Sequence, residues 1–199
     1  MARVLLVGLT GGLGAGKSEA LRALRELGAA TLSTDAVVHE LLATDELHGV
    51  VVERLGPGVA PGGTLDRSRI ADRVFGDEEA RAWLESVLWP RVGKRVAEWK
   101  AEVDATEPPP RAAVVEVPLL FESGMERVFD STIAVVSDEA VRERRAVARG
   151  HASLAERAGR QLSQEQKAGR ADFTIRNDGT LDELKQALSM VLAKLDGIP

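Results

Sequence analysis

The chain contains no cysteine. That removes disulfides, thiol catalysis and thiolate metal sites, and it fits a reducing cytoplasm, the expected compartment. An excess of positive charge is also missing. Twenty-six Lys and Arg against thirty-one Asp and Glu leave a net charge of −5, whereas nucleic-acid binding wants a basic face, so nucleic acid is not an expected partner. There is no long apolar run: Val4-Leu5-Leu6-Val7 is far too short to cross a bilayer, and glycines follow it rather than a small-residue cleavage site. No membrane span is expected. The histidines, His39, His48 and His151, show no metal-ligand spacing. What is present is 44% hydrophobic and 29% charged residues in a chain of 199, the profile of one globular domain with a sizeable core.

Residues 3–9 (RVLLVGL) form a continuous apolar run, as expected of a parallel strand covered on both faces. A glycine loop follows, then Ala20, Leu21, Leu24 and Leu27 at helical spacing, with Gly28 as the stop. Residues 29–34 read as a short second strand. From Asp35 to Val103 the period becomes helical, with stripes at Val37, Val38, Leu41 and Leu42, at Leu47, Val50, Val51 and Leu55, and at Val92, Val96, Trp99 and Val103. Gly- and Pro-rich segments interrupt at 56–63 and 108–110. Two further strands are expected at 112–117 and 131–136, an arginine-dense helical stretch over 142–170 broken at Gly150, and a short strand at 173–175. The Asn177-Asp178-Gly179 turn and a terminal helix carrying Leu181, Leu184, Leu188, Val191 and Leu195 close the chain. Strands alternating with helices, plus a helical block after the second strand, predict an α/β fold with an inserted helical subdomain.

Gly11-Gly12-Leu13-Gly14-Ala15-Gly16-Lys17-Ser18 fits G-x-x-x-x-G-K-[ST] at every position, between a buried strand and an amphipathic helix. Glycines let backbone N–H groups converge on phosphate oxygens, and the helix starting near Lys17 adds its positive end. Lys17 is placed to neutralise charge between the β- and γ-phosphates of ATP, and the Ser18 hydroxyl to ligate Mg²⁺. No glycine triplet has the G-x-G-x-x-G spacing of a dinucleotide fold, and no N-K-x-D guanine-reading motif occurs. A parallel-sheet P-loop nucleoside-triphosphate-binding fold, with a helical insert for the acceptor and an arginine-bearing helical lid, is the expected plan for a kinase of a small molecule.

Asp35 follows the second expected strand at the phosphate-loop edge of the sheet. A carboxylate there can orient the proton of an attacking hydroxyl, or it can cap the helix that begins near Val37; position alone leaves both open. Arg142, Arg144, Arg145, Arg149, Arg157 and Arg160 crowd one stretch, with Arg145 and Arg149 on one face. They read as a phosphate-closing lid or as a solvated basic face paired with Glu143 and Glu156. Glu116 ends a strand where many P-loop proteins keep an acid near the metal.

Together these motifs resemble the dephospho-CoA kinase family over essentially the whole length. The resemblance rests on Thr10 to Ser18, on Leu65-Asp66-Arg67 through Val74-Phe75, on Leu84-Glu85 and Pro90, and on Val117-Pro118-Leu119-Leu120-Phe121-Glu122. It continues in Arg145-x-x-x-Arg149, Arg157-x-x-x-Gln161 and Ala171-Asp172-Phe173-x-Ile175-x-Asn177-x-Gly179. It implies transfer of the γ-phosphate of ATP to the 3′-hydroxyl of dephospho-CoA, with Mg²⁺. It makes Asp35, Lys17 and Arg149 the catalytic residues. Gly12, Leu13, Gly14, Ala15, Gly16, Lys17, Ser18, Glu19, Arg145 and Asn177 become the ATP site, and Pro118, Leu119 and Leu120, with Asp35, the acceptor site. It further implies a single domain over 1–199, with the acceptor insert at 36–105 and the lid at 140–170, acting as a monomer or small homo-oligomer. The sequence departs from the family pattern at Ser33, where an acid is usual, at Glu19 for threonine, at Trp89 for histidine and at Glu116 for aspartate. Two other readings fit the same residues: a kinase of this plan acting on another metabolite or nucleoside, and an ATP-binding regulator without transfer.

Overall fold

Five short apolar strands carry the molecule: β1 (Leu6–Gly11), β2 (Ala30–Ser33), β3 (Ala113–Glu116), β4 (Ser131–Val136) and β5 (Phe173–Arg176). In the computed structural model, which describes residues 3–148 and 161–197, they form one sheet in the order β2-β3-β1-β4-β5. Every pairing is parallel. Every residue of β1 and β3 is buried, which is why these strands are unbroken apolar runs instead of alternating ones. Strand β2 lies beside β3, so the chain leaving the phosphate loop crosses over β3 before re-entering the sheet.

Helix α1 (Lys17–Glu26) buries Ala20, Leu21, Ala23 and Leu24. The C-terminal helix, Leu181–Leu195, buries Leu184, Leu188, Val191, Leu192 and Leu195. Both stripes enter one core with Val7, Leu9, Val114, Ile133 and Val135 of the sheet. The remaining helices among the described residues are α2 (Thr34–Leu42), α3 (Asp45–Leu55), α4 (Arg67–Val74), α5 (Glu78–Asp104), α6 (Glu139–Ala148) and α7 (Gln164–Arg170), with the C-terminal helix as α8. The Gly- and Pro-rich segment at 56–63 becomes two single 3₁₀ turns, Pro57–Val59 and Pro61–Gly63.

The chain divides into two compact units, one holding the sheet with the residues up to Ser33 and from Lys100 onward, the other running from Thr34 to Trp99. The second has a core of its own, built on Leu42, Val51, Leu55, Val59, Leu65, Ile70, Ala80 and Leu84. Inside it Asp66 caps α4, accepting from the N–H groups of Ser68 and Arg69 at 2.8 and 3.2 Å. Among the described residues no helix is long and apolar enough to cross a membrane.

Strand β5 is stitched to β4 through Asp172, whose Oδ2 accepts from the N–H and hydroxyl of Thr132 at 2.8 and 2.9 Å. Helix α8 then opens on a capping box. The Thr180 hydroxyl accepts from Glu183 N–H, and the Glu183 carboxylate accepts from Thr180 N–H at 2.7 Å. Those Thr180 donors hold the Glu183 carboxyl below its ordinary value of 4.5. A depressed carboxyl pKa contributes stability above the unfolded value and loses it as pH falls through the folded one. Thr180→Ala should therefore cost about 0.5–2 kcal/mol at pH 7, read as a lowered melting temperature. The gap to wild type should narrow as pH falls through the depressed pKa of Glu183, because protonation weakens the bond from the Thr180 hydroxyl at 3.0 Å that only wild type makes. A gap that does not change with pH would show that Glu183 takes no part.

Candidate functional site

The carboxyl ends of the strands deliver the candidate residues. Strand β1 ends at Gly11 and gives way to Gly12-Leu13-Gly14-Ala15-Gly16 before Lys17 opens α1. Gly14 and Gly16 have φ of +78° and +95°, left-handed values that side-chain-bearing residues adopt at a cost. Gly16 has a second reason to be glycine: a Cβ there would run into Nδ2 of Asn177. As N-cap, Gly16 supplies no side chain to α1. The first-turn amides of a helix have no intrahelical partners, and this uncapped N-terminus is a ready anion site.

Carbonyl groups of the loop are met by side chains from three places. Lys17 Nζ donates to the carbonyls of Gly11 and Gly12 at 3.1 and 3.2 Å. Arg142 Nε, from α6, donates to the Leu13 carbonyl at 2.9 Å. Asn177 Nδ2, just past β5, donates to the Ala15 carbonyl at 2.9 Å, and this side chain is 5% exposed. Asn177 is itself held, because its carbonyl accepts from Arg145 Nη1 at 3.0 Å. The Ser137 hydroxyl lies 2.8 Å from Asp178 Oδ1, and Gln164 grips the Ser137 peptide at both ends, accepting at 2.9 Å and donating at 2.8 Å. A cavity of about 660 Å³ opens beside this cluster, its wall including Ser137, Asp138, Arg142, Gln164 and Arg176.

The other candidates fall as follows. Ser18, second in α1, is exposed, and Glu19 is half-buried and pairs with Arg22. Glu116 closes β3 in register with Leu9 on one side and Ser33 on the other, and is 6% exposed. Pro118 and Leu119 are half-buried in the turn that follows β3. Leu120 is wholly buried, its side chain packed beneath Gly8, so it presents no exposed face. In the second unit, Asp35 is exposed in the first turn of α2, inside the helix instead of at the flanking cap position. Arg149, Arg157 and Arg160 lie outside the described residues.

Sequence reasoning missed the work of Arg142, Gln164 and Lys167. Arg142 reads from composition as one charge among many, yet it sits on the loop, whereas Arg144 two residues on is exposed. No spacing rule marks Gln164 or Lys167, which stand in a short polar helix. The only local signal there is the Ser163–Gln166 capping box.

A buried strand, a glycine loop with its carbonyls turned to side-chain donors, a lysine at the head of a helix, and a parallel sheet in this strand order define a P-loop nucleoside-triphosphate-binding fold. The family model described as dephospho-CoA kinase matches residues 5–183. A curated dephospho-CoA kinase from Protochlamydia amoebophila is 38% identical over 98% of this chain and 98% of its own length. One from Deinococcus radiodurans is 39% identical over 96% of this chain and 92% of its own. A Thermus thermophilus protein of known crystal structure superposes with a TM-score of 0.82 at 33% identity, covering 98% of this chain and 99% of that one. The chain belongs to the dephospho-CoA kinase family.

The brace on the loop can be tested at Asn177. Asn177→Asp replaces the amide donor with an oxygen facing the Ala15 carbonyl, and a buried acceptor left without a donor costs about 1–3 kcal/mol. ATP affinity, measured by calorimetric titration, should fall about tenfold or more. Arg144→Ala, at an exposed position, should leave it unchanged. Wild-type affinity in Asn177→Asp would mean the loop keeps its shape unaided.

Proposed function

We propose that the protein transfers the γ-phosphoryl group of ATP to the 3′-hydroxyl of dephospho-CoA, giving coenzyme A. The observation that carries this reading is the phosphate loop with braced carbonyls, held in a chain that matches the family over residues 5–183. In this reading the loop amides and Lys17 cradle the β- and γ-phosphates, and the nucleoside end of ATP takes the cavity walled by Ser137 and Arg142. Positioning and charge stabilisation do most of the catalysis, because the transferring phosphoryl group is loosely bonded at the transition state.

Mg²⁺ is proposed as the metal. Among the described residues there is no group of three or more His, Asp or Glu that could hold an ion, but Mg²⁺ in kinases rests mainly on substrate phosphates and needs few protein oxygens. The exposed Ser18 hydroxyl, a hard oxygen donor, fits that demand. When bound, the ion would neutralise charge on the β- and γ-oxygens. Asp35 is proposed to orient the acceptor hydroxyl and take its proton. Its support is covalent, since it stands two residues beyond Ser33, the last residue of β2. Arg149 and Arg145 are proposed for the lid over 140–170, Pro118 and Leu119 for the acceptor wall, and residues 36–105 for the acceptor insert. The cysteine-free composition fits a reducing cytoplasm, and a monomer or small homo-oligomer working on small molecules is proposed.

The direct test is to mix protein, Mg-ATP and a panel of alcohol acceptors and follow ADP. ADP that depends on dephospho-CoA supports the reading. ADP with another acceptor reassigns the substrate, and tight ATP binding without turnover leaves a regulator. Asp35→Asn keeps shape while deleting the basic carboxylate, and kcat should fall on the order of 10²–10⁴. ATP affinity and melting temperature should hold. A near-wild-type rate would remove Asp35 from the chemistry.

A further inference from the structure

A buried cation, Lys167, shares a hydrogen-bonded carbonyl with the residue that precedes the phosphate loop. Lys167, on α7, is 0% exposed. Its Nζ donates to the Pro118 carbonyl at 2.6 Å and lies 3.0 Å from Glu122 Oε1. The same Pro118 carbonyl accepts from the Thr10 hydroxyl at 3.3 Å, one residue before the loop begins. Glu122 Oε1 also accepts from Leu162 N–H at 2.9 Å, while its buried Oε2 has no hydrogen-bond partner among the described residues.

As a device for stability this arrangement is poor. Taking an ammonium out of water is costly, and well-packed apolar side chains often serve a fold better than a buried ion pair. Burial holds the Lys167 pKa below its ordinary value, with Glu122 opposing. The chain geometry supplies a reason for it. Val117 N–H makes the last ladder bond to β1, donating to Leu9 at 2.8 Å. Pro118 has no N–H with which to continue, so the chain leaves the sheet at this residue. Among the described residues its carbonyl is then held by the Thr10 and Lys167 side chains, and Lys167 reaches both it and Glu122, four residues on. An ammonium can hold both; an apolar side chain of the same size can hold neither.

We propose that Lys167 is a positioning residue for the acceptor, clamping both ends of the 118–122 turn at a set distance from Thr10 and the phosphate loop. This rests on the reading of that turn as the acceptor wall. The clamp matters because transfer needs the hydroxyl and the γ-phosphorus in near-attack geometry, and a 1 Å misplacement can cost about 10²-fold.

The test uses two variants of the full chain, Lys167→Met and the neutral double change Lys167→Met with Glu122→Gln. The double variant leaves no uncompensated buried charge and keeps an acceptor for Leu162 N–H, so it stays folded. At a temperature where circular dichroism shows both proteins folded, kcat/KM for dephospho-CoA should fall about 10–100-fold in the double variant. KM for ATP and the slow acceptor-independent release of ADP should stay within about twofold. Amide hydrogen exchange over residues 119–123 should quicken while that of α1 does not. Wild-type kcat/KM for dephospho-CoA in the double variant, whatever its melting temperature, overturns the proposal, as does an equal loss in the ATP parameters. If the wild-type protein makes no ADP with dephospho-CoA, the functional reading fails instead. Exchange over 119–123 then decides the clamp by itself, and unchanged exchange overturns it.

Discussion

A loop that gives its N–H groups to phosphate must turn its carbonyls the other way, and buried carbonyls need donors. That constraint organises most of what surrounds residues 11–16. Lys17 answers for Gly11 and Gly12, Arg142 for Leu13, and Asn177 for Ala15. Each donor comes from a different element, so the loop is shaped by the whole sheet-bearing unit. The glycines follow from the same demand: Gly16 must accept both a left-handed backbone and the Asn177 amide against it. Gly179 must be small because the Glu183 carboxylate folds back over it to close the α8 cap.

The strand order gives these donors their reach. With β1 between β3 and β4, the chain leaving β3 and the chain leaving β4 both emerge beside the loop. The first becomes the 118–122 turn; the second becomes Ser137, Asp138 and α6. Helix α7, only seven residues long, binds both: Gln164 grips Ser137 and Lys167 grips Pro118. So short a helix has little stability of its own. Its capping box and its buried side-chain bonds hold it, which makes α7 a fastener and leaves the apolar core to α1 and α8.

Much of this was legible in the sequence because it obeys local rules. Residues 131–136 read as a strand and are one, and the stripe Leu184, Leu188, Val191 and Leu195 marks the core face of α8. The loop motif is legible because each of its residue types has one physical job. What was not legible depends on contacts between positions far apart in sequence. Arg142 meets Leu13 from 129 positions away and Asn177 meets Ala15 from 162 away, and no periodicity encodes either. Lys167 is hidden for a related reason, since burial of a charged residue runs against its composition-level expectation. Leu120 shows the converse: its place in a motif suggested an acceptor wall, while nothing local marked the full burial of this leucine after a buried strand.

The two ends of the proposed reaction are thus prepared to different degrees. The phosphate loop is cross-braced, with side-chain donors on the carbonyls of Gly11, Gly12, Leu13 and Ala15. Asp35, by contrast, is exposed in the first turn of a helix, where water solvates its carboxylate. A hydrated carboxylate is a weak partner for an incoming hydroxyl, because each interaction it makes is screened. In the proposed reaction its hold on the acceptor hydroxyl would strengthen when the acceptor displaces that water. Binding energy from the distant parts of a large acceptor can supply that desolvation, whereas a lone water molecule cannot. If Asp35 takes the role proposed for it, its exposure would disfavour hydrolysis of ATP, because the carboxylate would be desolvated only when the substrate that should receive the phosphate is in place.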